Sequence, residues 1–136
     1  HEQTALIKGA KLRVCISGNE ARLFGTPSDF NAVSRAIRKC KVGTSIRLPL
    51  ERSQSQYTSL EIRCTTGFAA FGAKECTLFI AYPEKLRRRF SPLFAMPAET
   101  QSGSIFFISA SQIDALQFVA EESLEMILQV VEPDHG

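Results

Sequence analysis

At 136 residues, with 44% apolar and 22% charged side chains, the chain has the size and composition of one globular domain with a single core, which excludes a chain disordered throughout, a fibrous repeat and a disulfide-dense scaffold. Its net charge of +2 hides a division after Arg89: residues 1–89 carry all 16 lysines and arginines and 7 acids, net +9, whereas residues 90–136 carry 7 acids and no base, net −7. No apolar run reaches the ~18 to 20 residues of a membrane-spanning helix, and the first residues show no signal-peptide pattern.

Residues 1–9 lack periodicity and read as a disordered leader, partly of cloning origin, before one domain over residues 10–136. From Lys11 onward, Leu12, Val14 and Ile16 alternate with Arg13 and Cys15, the two-residue period of a half-buried strand. Gly18-Asn19 then makes the tight turn into a second strand over residues 21–24. Thr26 as cap, Pro27 at the first helical position and Asp29 near the positive end start a helix predicted to run to about Cys40. Phe30, Val33, Ile37 and Cys40 form its inner face, and Arg35, Arg38, Lys39 and Lys41 crowd its last turns.

A third strand over residues 45–50 ends near Pro49, a polar linker follows, and Leu60, Ile62 and Cys64 alternate inward on a fourth. Residues 67–74 read as a turn leading to an apolar, central strand over residues 75–82. Pro83-Glu84-Lys85 opens a short basic helix through Phe90, and Ser104 to Ser109 is a further strand. Ser111 and Asp114 cap a second long helix bearing Ile113, Leu116, Val119 and Ala120. Residues 123–132 alternate as a last strand, with helix as the alternative. The expected fold is α+β, a mostly antiparallel sheet of about 6–7 strands packed by two main helices plus a short basic helix.

Chemistry-bearing constellations are few. Cys15, Cys40, Cys64 and Cys76 are separated by 25, 24 and 12 residues, which is no metal knuckle, and the cysteines in predicted strands behave as small hydrophobes. They read as reduced thiols of a cytoplasmic protein. His1 and His135 stand at the chain ends, so no interior imidazole is there to activate a nucleophile or ligate a metal. TGFAAFG lacks the spacing of a phosphate-cradling loop. The expectation is a protein with no catalytic residues, no metal and no cofactor. Phe68 and Phe71 stand out as an aromatic tip for partner contact.

The hairpin and helix in residues 12–41, carried by Ile16-Ser17-Gly18, by Phe24-Gly25-Thr26-Pro27 and by the apolar positions Phe30, Val33 and Ile37, resemble the opening of small bacterial immunity proteins of polymorphic and contact-dependent toxin systems. The resemblance implies a cytoplasmic protein that binds one toxin tightly and has no activity of its own. This chain departs from the acidic balance typical of immunity proteins against nucleases, so a basic toxin would meet its acidic C-terminal third, with Glu121, Glu122 and Glu125 as the contact acids. The alternative is a protein that binds anions or nucleic acid through Lys85, Arg87, Arg88 and Arg89 together with Arg35, Arg38 and Lys39. Thiol titration in denaturant without reductant should count all 4 cysteines; a count of two or zero, or stoichiometric zinc, contradicts the reduced-thiol expectation.

Overall fold

The computed structural model describes residues 4–6, 10–51, 56–67, 69–108 and 124–133, the first of these as backbone alone. Alternating aliphatic positions build nine strands among them: β1 (Thr4–Leu6), β2 (Arg13–Ser17), β3 (Glu20–Gly25), β4 (Ser45–Pro49), β5 (Ser59–Thr65), β6 (Ala70–Lys74), β7 (Thr77–Pro83), β8 (Ile105–Ile108) and β9 (Glu125–Val130). Two segments are α-helical, α1 (Pro27–Lys39) and α2 (Arg87–Phe90), the latter between 3-10 turns at Glu84–Leu86 and Ser91–Leu93. No helix among the described residues is long and apolar enough to cross a membrane.

The strands form two mixed sheets, in the orders β1-β4-β5-β7-β6 and β2-β3-β9-β8. This corrects the expectation of a single, mostly antiparallel sheet with two main helices. Three of the seven strand pairs are parallel: β1 with β4, β5 with β7, and β3 with β9. Alternation reports which face of a strand is buried, and neither the neighbour nor its direction. The parallel β5–β7 pair arises because β6 folds back on the far edge of β7 through a turn at Glu75, whose φ is 58°. The segment expected to be a turn, residues 67–74, therefore contains β6, and Thr4–Leu6 of the expected leader pairs with β4. The second long helix was expected on residues that lie outside those described.

Packing follows the register. Leu60, Ile62 and Cys64 of β5 lie opposite Leu78, Ile80 and Tyr82 of β7, giving a buried apolar face on which Phe30, Val33 and Ile37 of α1 rest. In the second sheet Ala21 and Leu23 lie opposite Met126 and Leu128, and all are buried. The sheets meet where Leu12 bridges Leu50 and the Glu51 N–H donates to the Leu12 carbonyl at 2.8 Å, so one apolar cluster serves both.

The start of α1 ties the second sheet to the helix. Thr26 Oγ1 accepts from the Asp29 N–H at 3.2 Å, while Asp29 Oδ2 accepts from the Thr26 N–H at 2.8 Å, a reciprocal capping box. Asp29 Oδ1 also accepts from the Lys11 N–H at 3.0 Å, so one buried carboxylate fixes both the helix start and the entry to β2. On the outer face of the five-stranded sheet, Glu61 accepts from Arg63 Nε at 2.8 Å and pairs with Arg47 at 3.4 Å. The Arg63 guanidinium lies 4.6 Å from the centre of the Phe79 ring. That ring fills the space a Cβ at Gly72 would need, so a larger residue there would have to displace it. Burial acts to raise the Glu61 carboxyl, but the hydrogen bonds and charges of Arg63 and Arg47 outweigh it and hold the group below its ordinary range.

Thr26→Ala should cost about 1 kcal/mol through loss of the cap, and Asp29→Ala about 2–3 kcal/mol because it removes charged acceptors from several donors at once. Urea midpoints at unchanged slope measure both, and equal small costs would mean that Asp29 does not tie the segments together. Glu61 gives the second expectation. Because its folded pKa is depressed, its contribution to stability is present above the unfolded value of about 4.3 and is lost as pH falls through the folded value. Glu61→Gln should therefore flatten the acid side of the stability profile, and an unchanged acid limb would contradict the pairing.

Candidate protein-binding edge and basic seam

β8 closes one side of the four-stranded sheet, and its composition is unusual for that position. Gly103, at φ 92°, turns the chain, its N–H donates to the Val130 carbonyl at 2.7 Å, and Ile105–Ile108 then pairs with β9. Among the described residues the exposed large hydrophobics are Val42 at 38%, Ile105 at 43%, Phe106 at 41% and Phe107 at 68%. Three of these four are consecutive in β8, so both faces of this strand present apolar surface. Ile108 alone in β8 is buried.

The ladder dictates which backbone groups remain unsatisfied. The Val130 N–H donates to the Ser104 carbonyl at 2.9 Å, which places Ser104 and Val130 at a hydrogen-bonding position of the ladder, although the Val130 carbonyl accepts from Gly103. In an antiparallel ladder such pairs alternate, so Phe106 and Ile108 bond to Leu128 and Met126, while Ile105 and Phe107 direct N–H and C=O away from β9. Among the described residues β8 has no neighbour on that side. The edge thus offers two outward amides flanked by an isoleucine and two phenylalanines.

The outer face of this sheet continues the surface inward. Arg13 lies over the Phe24 ring, 5.6 Å from its centre, and Arg22 donates to the Gln129 side chain at 2.8 Å. Glu125 is exposed on β9 and stands in register with exposed Glu20 on β3, two like charges on neighbouring strands. Glu125 was singled out by its charge. Glu121, Glu122 and Phe68 lie outside the described residues. Phe71 is no exposed tip: it is fully buried opposite Ile80, with its ring edge-on to Phe90 at 6.1 Å. The correction has a simple cause, since β6 alternates and its first inward position is Phe71. Ile105, Phe106 and Phe107 escaped notice because an all-apolar strand reads as a central one, and only the sheet order reveals that β8 is terminal.

The two basic clusters come together through α1 and the segment that follows β7. Asn31 and Met96 exchange two hydrogen bonds of 2.8 Å, the Ser34 and Ser91 hydroxyls are 2.9 Å apart, and Arg87 donates to the Cys40 carbonyl. Contacts at 31 with 96, 34 with 91 and 40 with 87 run in opposite order along the chain, so the second segment lies antiparallel to α1. Arg35, Arg38 and Lys39 are exposed, as are Lys85, Arg88 and Arg89.

Arg87 behaves differently from its neighbours. It reaches inward, donating also to Cys64 Sγ at 3.3 Å, and its Nε is buried without a partner. Tyr82 stacks on Phe90 at 5.8 Å and donates its hydroxyl to the Ile37 carbonyl at 2.5 Å. Burial raises the Cys64 thiol, with Arg87 only partly offsetting it, and burial together with the nearby Cys40 and Cys64 thiols pushes the Tyr82 hydroxyl far above its usual range. Burial also works against the Arg87 charge, but its bonds to Cys64 and Tyr82 prevail and keep it protonated. These groups stay in their ordinary protonation states at neutral pH, which suits a structural hub and gives no activated thiolate. Among the described residues no group of three His, Cys, Asp or Glu side chains is arranged to hold a metal ion.

No protein-family model matches the sequence. No curated protein matches it either. Among solved structures, the crystal structure of Drosophila Suppressor of Fused is similar at 13% identity and a TM-score of 0.46, over 88% of this chain and 26% of that one. The chain thus spans about a quarter of that protein's length.

Proposed function

We propose that this chain is a protein-binding module that receives its partner along the β8 edge, and that the partner is a bacterial toxin domain which it neutralises. The observation that carries the first part is the run Ile105, Phe106 and Phe107, exposed on a terminal strand in a domain whose other large apolar side chains are mostly buried. Edge strands left long, flat and apolar invite pairing with other chains, and proteins usually blunt them with charge, proline or a bulge. β8 is short, at four residues, but carries neither charge nor proline. Its outward amides supply the main-chain bonds of strand addition, and its aromatic side chains supply the pockets and anchors that interfaces favour.

Charge narrows the partner class. Residues 90–136, which contribute β8 and β9, hold no lysine or arginine, and Arg22 and Arg13 on the same sheet face are occupied by Gln129 and Phe24. An apolar edge in acidic surroundings favours a basic partner segment, whose encounter the acids would accelerate. The finer identity, toxin neutralisation, rests on the resemblance of residues 12–41 to immunity proteins.

The test pairs this chain with the toxin domain encoded beside it, measuring binding and rescue of growth. Ile105→Asp with Phe107→Asp should weaken the complex at least tenfold and abolish rescue while leaving the melting transition in place, because both side chains are exposed. Glu125→Lys should slow association and raise Kd by a smaller factor. Unchanged binding by the double aspartate variant would overturn the β8 edge as the interface, and a neighbour whose toxicity this chain does not relieve would overturn the toxin reading.

A further inference from the structure

The seam between α1 and the α2 segment joins two stretches that are cationic without exception. Residues 30–50 contain Arg35, Arg38, Lys39, Lys41 and Arg47 and no acid, and residues 85–98 contain Lys85, Arg87, Arg88 and Arg89 and no acid. Of these, Arg47 pairs with Glu61, and Arg87 is turned inward.

The usual explanation for cations here is the negative end of the α1 dipole. Arg87 shares that role with Arg38 and Lys39 of the last turn. Arg87 donates directly to the carbonyl of Cys40, the residue that caps the C-terminus of α1. Arg35, Arg38, Lys39, Lys41 and Arg88 are all exposed, and among the described residues none of them has an ion pair.

Their placement is specific as well. At ~100° per residue, Arg38 lies about 40° around α1 from Ser34, the residue that meets Ser91, so it sits on the lip of the seam. The antiparallel run from the Arg87–Cys40 contact to the Ser91–Ser34 contact brings Arg88 to the level of Arg38. Like charges face each other across the seam, and a bound anion would relieve that opposition. The exposed cations of this surface lie on α1, just beyond it and on the α2 segment. Guanidinium forks on such a surface suit the repeated, accessible phosphates of a polynucleotide.

We infer that Arg35, Arg38, Lys39, Lys41 and Arg88 form a sequence-independent contact for the phosphate backbone of nucleic acid. This surface is chemically opposite to the β8 edge, and the inference stands whether or not that edge receives a toxin.

The probe is a fluorescently labelled 20-base-pair duplex, titrated with the whole 136-residue chain at several salt concentrations. Binding should be micromolar at low salt, with log K falling linearly against log salt at a slope of about −3 to −5. Arg38→Gln with Arg88→Gln should reduce that slope by ~2, and Arg13→Gln, on the opposite sheet, should leave it unchanged. Coincident thermal melts would show that the exposed substitutions leave the fold intact. No binding at 25 mM salt, an unchanged slope in the double variant, or equal loss with Arg13→Gln would overturn the inference. A polyglutamate peptide competing as well as unlabelled duplex would overturn it too, assigning the seam to an acidic protein.

Discussion

The helical side of this domain is organised around one half-buried guanidinium. Arg87 bonds the carbonyl that ends α1 and the thiol of Cys64 on β5, beside the Tyr82 ring on β7, so a single side chain holds α1, the five-stranded sheet and the α2 segment in register. A buried cation is costly unless its donors are satisfied, and partial satisfaction makes such a network intolerant of change. Its position also decides what the surface presents. Because the first arginine of the triplet turns inward and Phe90 follows it into the core, Arg88 and Arg89 are left facing outward.

The sheet side obeys a different constraint. Both sheets share one apolar cluster through Leu12 and Leu50, and their inner faces are complete. β8 reaches that shared core only through Ile108, so Phe106 remains exposed even on the inward-pointing side of the strand. The molecule therefore separates its chemistry in space: an acidic, apolar strand edge drawn from residues 90–136, and a basic helical seam that draws on the other part of the chain. Within the basic part itself, Arg47 and Arg63 both pair with Glu61.

Local physics made much of the fold legible. The alternation of Leu12, Val14 and Ile16, the Gly18-Asn19 turn, the Thr26-Pro27 start and the apolar stripe of α1 all stand where the side chains alone put them. The last strand also forms, because its alternation outweighs its helical alternative. What escaped was non-local. Strand direction in the β5–β7 and β3–β9 pairs depends on where β6 and β9 insert, which no short window contains. The burial of Phe71 and the exposure of Phe107 reversed expectation for the same reason, since each depends on sheet order. Of the site, the basic residues and Glu125 were visible as charge, whereas the inward turn of Arg87 and the edge itself needed the fold.

A strand edge that adds a partner strand must have amides that are idle in the free protein and bonded in the complex. Amide hydrogen exchange residue by residue over Ile105–Ile108 reads this directly. In the free chain, Ile105 and Phe107 should exchange quickly while Phe106 and Ile108, bonded to β9, exchange slowly; with the partner bound, Ile105 and Phe107 should become protected. Protection of all four amides in the free chain, or fast exchange of Ile105 and Phe107 that persists in the complex, would contradict strand addition at β8.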